Sequence, residues 1–309
     1  MQFWTWLINL IIVTQAVTGL QSGFWYYPEQ SSDNQTISRR QQIVTMNQVP
    51  VRIDNNSLGM AISAPAASII DWHSGVTLWQ KGPNETRSIA SLTKMMTALV
   101  WLDASVEQSK KISINSDDFE PSGKYIVQTG DEILVSDLLN LTLVASDNTA
   151  ANALARSTGW SREQFIGRMN DKAQQLGMIQ TQFVDVNGLR NQNVSTVSDI
   201  VILSKNFFSK KIFQDITQQK EYLLQRLNNK KKLITVKNTN TLLNSYLKVD
   251  GGKTGFIEEA GGCLSVLLEN EKGNKILIVV LGSTGQLNRF QEAKALAYWA
   301  FKNYQWTNN

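Results

Sequence analysis

Ile89-Ala-Ser-Leu-Thr-Lys-Met-Met-Thr97 is the stretch on which the reading of this chain turns. Leu92, Met95, Met96, Leu99 and Val100 recur at helical spacing, so a helix with an apolar stripe is expected from Leu92 onward. Ser91 stands where that helix begins, and Lys94 is three residues on, one turn away on the same face. A serine there sits beside unpaired backbone N–H groups and the positive end of the helix dipole, a field that stabilises developing negative charge. An amine one turn on can serve as a base once burial or a second cation lowers its pKa. Ser91 and Lys94 thus form a coherent nucleophile and base. The plain alternative for Ser91 is an N-cap. Ser245-Tyr-Leu-Lys248 has the same spacing without starting a helix, so spacing alone decides nothing.

Composition makes the lysine base more attractive. The 309 residues hold one histidine, His73, and one cysteine, Cys263. One cysteine excludes an intramolecular disulfide and a Cys-rich zinc site. One histidine excludes a His-x-x-x-His metal site, and any Ser-His-Asp triad would have to use His73. That residue lies in Asp71-Trp72-His73-Ser74-Gly75, which reads as a hairpin turn, so an ordinary polar role is expected for it. Cys263 follows Gly262 in a strand-like run and reads as a small buried thiol. Nothing points to a metal or a cofactor. The net charge of +4 is mild, and Lys205–Lys232, with eight Lys or Arg, reads as a solvated basic face. No aromatic interleaving or known motif suggests nucleic acid.

The body of the chain carries strand-like runs at its ends and helices between. Ala67–Trp72 and Val76–Gln80 are expected strands. Helices are expected from Leu92, over Ser136–Val144, Thr149–Ser157, Ser161–Leu176 and Thr196–Phe208, and finally over Asn288–Asn303. Strands are expected at Leu233–Lys237, Gly252–Ile257, Cys263–Glu269 and Lys275–Leu281. This order suggests an α+β fold, in which two distant segments build one antiparallel sheet and a helical subdomain is inserted between them. Length allows about two domains or one large one.

Two further motifs carry chemistry. Ser146-Asp147-Asn148 falls in a short gap between expected helices, where a hydroxyl and an amide enter a cleft together. Ser146 would relay a proton, and Asn148 would hold a peptide carbonyl or orient Lys94. The same tripeptide at Ser32-Asp33-Asn34 is a reminder that it is usually a loop. Lys253-Thr254-Gly255 stands at the head of an expected strand. An ammonium beside a hydroxyl suits a carboxylate ligand, and a glycine lets substrate backbone lie along the strand. The plain alternative is a charged edge strand.

The order S-x-x-K, S-x-N, K-T-G resembles the penicillin-recognising serine enzymes. Phe183-Val-Asp-Val-Asn-Gly-Leu189, Ser195-Thr196 ahead of Asp199, Val249-Asp-Gly-Gly-Lys-Thr-Gly-Phe256 and Ala260-Gly-Gly-Cys-Leu264 narrow the likeness. They resemble the low-molecular-mass penicillin-binding proteins that act as D-alanyl-D-alanine carboxypeptidases and endopeptidases. The resemblance covers about residues 57–305. It implies a β-lactamase/transpeptidase-like fold, with a five-stranded antiparallel sheet flanked by helices and a site between sheet and helical subdomain. It implies Ser91 as nucleophile, Lys94 as general base and Ser146 in the cleft with Asn148. Lys253 would supply positive field, and Thr254 would meet the substrate's terminal carboxylate. The backbone N–H groups of Ser91 and Phe256, beside Gly255, would form the oxyanion hole. Arg289 matches a family arginine that meets the same carboxylate, a helix-surface arginine being the alternative. The implied partners are peptidoglycan stem peptides ending in D-Ala-D-Ala and covalent β-lactam adducts on Ser91. Ile257 departs from the threonine that often follows the K-T-G-aromatic run.

The resemblance leaves carboxypeptidase and endopeptidase unseparated. A class A β-lactamase would need Glu-x-x-Leu-Asn between the second and third motifs, and no such pattern occurs there. A non-catalytic wall-binding or β-lactam-sensing domain would not need Ser91, Lys94 and Lys253 together. Residues 1–20, apolar from Phe3 to Val17, read as a signal peptide or N-terminal anchor, so export to the periplasm or the extracytoplasmic cell envelope is expected. Residues 21–56 read as a polar linker, with regular structure beginning near Leu58. Larger family members carry a C-terminal β-domain and an amphipathic membrane helix. This chain reaches Asn309 soon after its last helix, so any membrane tether is expected at the N-terminus.

Overall fold

Alternation along the strands decides the architecture. In the computed structural model, which describes residues 49–54, 56–120 and 125–306, the strand Gly261–Glu269 is buried almost throughout. Its even-numbered residues Leu264, Val266 and Leu268 enter one apolar cluster, and Cys263 and Leu267 enter another. A strand apolar on both faces needs cover on both sides. The sheet therefore lies between two helical layers.

The sheet strands are β1 (Ala66–Asp71), β2 (Thr77–Lys81), β3 (Lys248–Ile257), β4 (Gly261–Glu269) and β5 (Lys275–Ser283). Their order is β3-β4-β5-β1-β2, and every pairing is antiparallel. The expected five-stranded sheet from two distant segments is present. The helices are α1 (Thr93–Asp103), α2 (Val135–Asn140), α3 (Asn148–Arg156), α4 (Arg162–Gln175), α5 (Val197–Phe208), α6 (Lys211–Thr217) and α7 (Gly285–Asn303). Phe290, Ala293, Leu296 and Ala300 of α7 cover the Leu264 face. Met95 and Met96 of α1 and Ile200, Leu203 and Phe207 of α5 belong to the opposite cluster. On that side a buried Ser204–Ser265 hydroxyl pair, 2.7 Å apart, joins α5 to β4.

The structure departs from expectation in several places. Regular structure begins before Leu58, because Val51–Arg52 pairs with Tyr304–Gln305. That pair closes the two ends of the described chain, which local sequence does not reveal. The short helix α6 and the strand Glu221–Arg226, which pairs with Asn229–Lys237, interrupt the basic stretch 205–232. The stretch is thus divided among several elements, and Lys211 and Arg226 within it are paired with Asp215 and Asp131. The strand carrying Lys253 begins at Lys248 instead of Gly252. A bulge between Val249 and Gly251 breaks the two-residue period there. The leader 1–20 and the linker up to residue 48 lie outside the described residues. The chain divides into two units, Met1–Thr45, outside the described residues, and Met46–Asn309, which holds everything described below.

Candidate active site

Three elements bring the motifs together. Ser91 lies in a single 3-10 turn, Ala90–Leu92, leading into α1. The turn presses against β3, whose Gly255 gives it room. A Cβ at Gly255 would stand 2.9 Å from the Ser91 amide nitrogen and 3.0 Å from the Ile89 carbonyl oxygen. The loop before α5 closes the other side. A Cβ at Gly188, where φ is +80°, would lie 2.1 Å from the Ala90 carbonyl oxygen. Two glycines thus clamp the turn, and Ala90 itself is held at φ +45°, a conformation that costs energy for a residue with a side chain.

Lys94 occupies the centre. Its Nζ donates to Ser91 Oγ at 2.9 Å, to Asn148 Oδ1 at 2.7 Å and to the Asn187 carbonyl at 2.5 Å. The side chain is fully buried. Burial pushes its pKa down to about 7, against the pull of Asp185 and Asp147. An ammonium has three protons, and all three find acceptors here. A neutral amine has two protons and one lone pair. The Asn187 carbonyl and Asn148 Oδ1 face Lys94 as acceptors, so they take the two protons. The lone pair is then left for the Ser91 hydroxyl.

The second motif follows α2, which ends in a π-helical turn over Leu141–Ala145. Such turns recur at functional sites. Ser146 adopts a left-handed conformation at φ +59°, and Asp147 caps α3 by accepting from the Ala150 amide. Asn148 is thereby the first residue of α3, turned toward Lys94. Its Oδ1 accepts from Lys94 Nζ, and its place in the cleft lining keeps it within reach of a substrate as well.

The third motif lies mid-strand on β3, the open edge of the sheet. Lys253 Nζ donates to Ser146 Oγ and to the Thr254 carbonyl, both at 2.8 Å. Its pKa is held well below the ordinary lysine range by burial, and then by the neighbouring Lys94 and Arg289 charges. Thr254 is 3% exposed, and its hydroxyl lies 2.6 Å from that of Thr239. Arg289 is also 3% exposed and so is no surface arginine. Its guanidinium donates to the Gly255 carbonyl at 2.6 Å, and burial lowers its pKa to about 10.

Ser91, Ser146, Asn148, Thr254, Gly255, Phe256 and Arg289 line one cleft of about 510 Å³. All nine residues singled out in the sequence are in or directly beneath it. A larger hollow of about 790 Å³, lined by Ile53, Phe301 and Trp306 among others, contains none of them. His73 sits exposed at the β1–β2 turn, outside the cleft lining. Among the described residues, no cluster of three or more His, Cys, Asp or Glu could hold a metal.

Two residues beside the motifs went unassigned in the sequence. Asn187 contributes through its backbone carbonyl, which no side-chain pattern announces. Asp185 holds that loop by accepting from the amides of Asn187, Gly188 and Arg190 and from Asn193 Nδ2. The run Asp-Val-Asn-Gly carries turn chemistry, but in the sequence it serves only the family resemblance and does not reveal the contact with Lys94.

The comparisons with known proteins agree with this arrangement. A family model described as D-alanyl-D-alanine carboxypeptidase, peptidase S11, matches residues 51–285. The D-alanyl-D-alanine carboxypeptidase DacF of Bacillus subtilis is 32% identical over 253 residues, 80% of this chain. The chain spans 64% of that relative's length. The D-alanyl-D-alanine endopeptidase of Escherichia coli is 34% identical over 245 residues, 77% of each chain. Among solved structures, the Streptomyces K15 DD-transpeptidase matches with a TM-score of 0.75 at 28% identity, over 80% of this chain and 100% of that one. Penicillin-binding protein D2 of Listeria monocytogenes, solved in a cefotaxime-bound form, matches at 0.70 and 28% identity, over 79% of this chain and 100% of that one. With a family model covering most of its length and relatives above 30% identity, this chain belongs to the D-alanyl-D-alanine carboxypeptidase family of serine peptidases, peptidase S11.

Proposed function

We propose that the protein is a serine-type D-alanyl-D-alanine carboxypeptidase that removes the terminal D-Ala from peptidoglycan stem peptides through an acyl-enzyme on Ser91. The observation that carries this reading is the fully buried Lys94 amine, 2.9 Å from Ser91 Oγ and with a pKa near neutrality. A base works best when its pKa lies near the operating pH. Neutral Lys94 takes the Ser91 proton as Oγ attacks the D-Ala–D-Ala carbonyl. On this reading the developing oxyanion is met by the backbone N–H groups of Ser91 and Phe256, two residues that line the cleft from the turn and from β3. The amide bond breaks, and the leaving nitrogen takes a proton through Ser146, whose hydroxyl is tied to Lys253. Free D-alanine departs, and Ser91 holds an ester. Lys94, neutral again once its proton has passed to the leaving nitrogen, takes a proton from water; the resulting hydroxide adds to the ester carbonyl, and Ser91 Oγ leaves with that proton returned by Lys94. Thr254 and Arg289 bind the substrate's terminal carboxylate, and the open edge of β3 receives its backbone.

The same chemistry serves a cross-link-cutting endopeptidase. The similarity to the Escherichia coli endopeptidase over 77% of both chains favours keeping that second reading. On either reading the protein works outside the cytoplasm, with residues 1–20 as its signal peptide or anchor. The polar linker follows from residue 21, and the peptidase domain begins near Val51 rather than at residue 57, since Val51–Arg52 pairs with Tyr304–Gln305 and the family match starts there. Among the described residues, no helix is long and apolar enough to cross a membrane.

Purified protein incubated with pentapeptide monomers and with cross-linked dimers tests the proposal. Free D-alanine from monomers supports the carboxypeptidase. Cleavage of dimers alone replaces it with the endopeptidase. A penicilloyl mass on the intact chain, lost in Ser91→Ala, is expected in both cases, and its absence would sink both.

A further inference from the structure

We propose that Thr239 is a positioning residue for the substrate's terminal carboxylate, acting through the hydroxyl of Thr254. The inference rests on the peptidase reading above and extends the carboxylate site by one residue.

Thr239 belongs to none of the three motifs. It lies on the segment between Asn229–Lys237 and β3, and it lines the cleft together with Thr254 and Arg289. Its backbone is held from several sides. The Thr239 amide donates to the Val144 carbonyl at 3.0 Å, in the π-helical turn that delivers Ser146. Asn238 Nδ2 donates to the carbonyls of Thr217 and Gln219, at 3.2 and 2.8 Å. Asn238 Oδ1 accepts from the Asn240 amide at 2.8 Å, and Asn240 Oδ1 accepts from Leu242 at 3.1 Å. The flanking asparagines thus spend their side chains on the loop, and the threonine between them is left facing Thr254.

The two threonine hydroxyls lie 2.6 Å apart. Each has one proton and two lone pairs, and only one proton can lie between the oxygens. When a carboxylate accepts the Thr254 proton, the Thr254 oxygen can only accept from Thr239. The order of donation is then Thr239 to Thr254 to carboxylate. A hydroxyl that accepts one hydrogen bond becomes a stronger donor of the next. Thr239 therefore orients and polarises Thr254, the hydroxyl that meets the carboxylate. Its effect is confined to substrates that carry a carboxylate.

The test compares two D-alanyl thioesters, one ending in thioglycolate and one in its methyl ester. They differ only in the carboxylate, and the thiol leaving group makes both reactive. The readout is the acid-to-ester ratio of kcat/KM, which is independent of how much of a variant is folded. Thr239→Val is expected to lower this ratio by up to roughly tenfold, the upper end of what one neutral hydrogen bond contributes. Thr239→Ser, which keeps the hydroxyl, is expected to restore it. An unchanged ratio in Thr239→Val, with the wild type active on both thioesters, overturns this inference alone. A wild type that turns over neither thioester overturns the peptidase reading and this inference with it.

Discussion

At Ser91 everything depends on the protonation of one amine. In the proposed mechanism Lys94 must be neutral to accept the serine proton, and burial lowers its pKa to about 7. Below that value the amine is an ammonium with no lone pair to offer. Activity is therefore expected to fall as pH falls, with an acid limb in kcat/KM near pH 7 that a pH–rate profile would locate. Lys94→Arg places a guanidinium that stays charged at the same position. It should cost about 10³-fold in acylation rate, the scale of a lost general base, as measured by mass spectrometry of β-lactam adduct formation. The serine, the lysine and their spacing are legible in the sequence. The lysine's pKa is not, because desolvation is a property of what surrounds a side chain and not of its neighbours along the chain.

At the scale of elements, β3 and β4 separate what packing needs from what chemistry needs. Gly255 is small because the Ser91 turn lies against it. Gly255→Ala keeps a residue that a strand accepts, but it pushes the turn and the Ser91 amide out of place. A loss of about 100-fold in kcat/KM is expected, since displacements of about an ångström near reacting atoms carry costs of that order, together with about 1–3 kcal/mol of stability for the backbone clash. Activity assays beside a melting curve would check this. Its register partner, Cys263, is different. The thiol is fully buried, and burial pushes its pKa up to about 11. It should resist a thiol reagent at pH 8 in the native protein and react once in denaturant, which a spectrophotometric titration measures. Helix positions were largely legible from apolar spacing. The strand carrying Lys253 was legible only in its second half, because Gly251 and Gly252 are small to admit Phe208 and Asn240 and show no alternation.

At the scale of the whole molecule, the two ends of the described chain clasp the sheet away from the motifs. Val51–Arg52 pairs with Tyr304–Gln305, and Trp306 Nε1 donates to buried Asp71 Oδ1 at 2.7 Å. The other Asp71 oxygen accepts from the Ser74 amide and hydroxyl, at 2.7 and 2.6 Å. Asp71→Ala would leave these donors without their acceptor. It is expected to cost ~2 kcal/mol, or about 5 °C in melting temperature, with kcat unchanged. Calorimetry with a parallel turnover assay would decide it. A fall in kcat would mean that the clasp reaches the active site.

The sequence by itself determined the α+β order of elements, the three motifs and the pairing of Ser91 with Lys94. These depend on spacing along the chain, and helix and strand periods translate spacing directly into position. Only the tertiary structure decided that Lys94 is buried, that the Asn187 carbonyl takes one of its protons, that Arg289 faces inward and that Thr239 meets Thr254. Each of these joins residues distant in the chain. Their energies come from exclusion of water and from contacts between elements, and both exist only once the sheet and the helical layers have closed on one another.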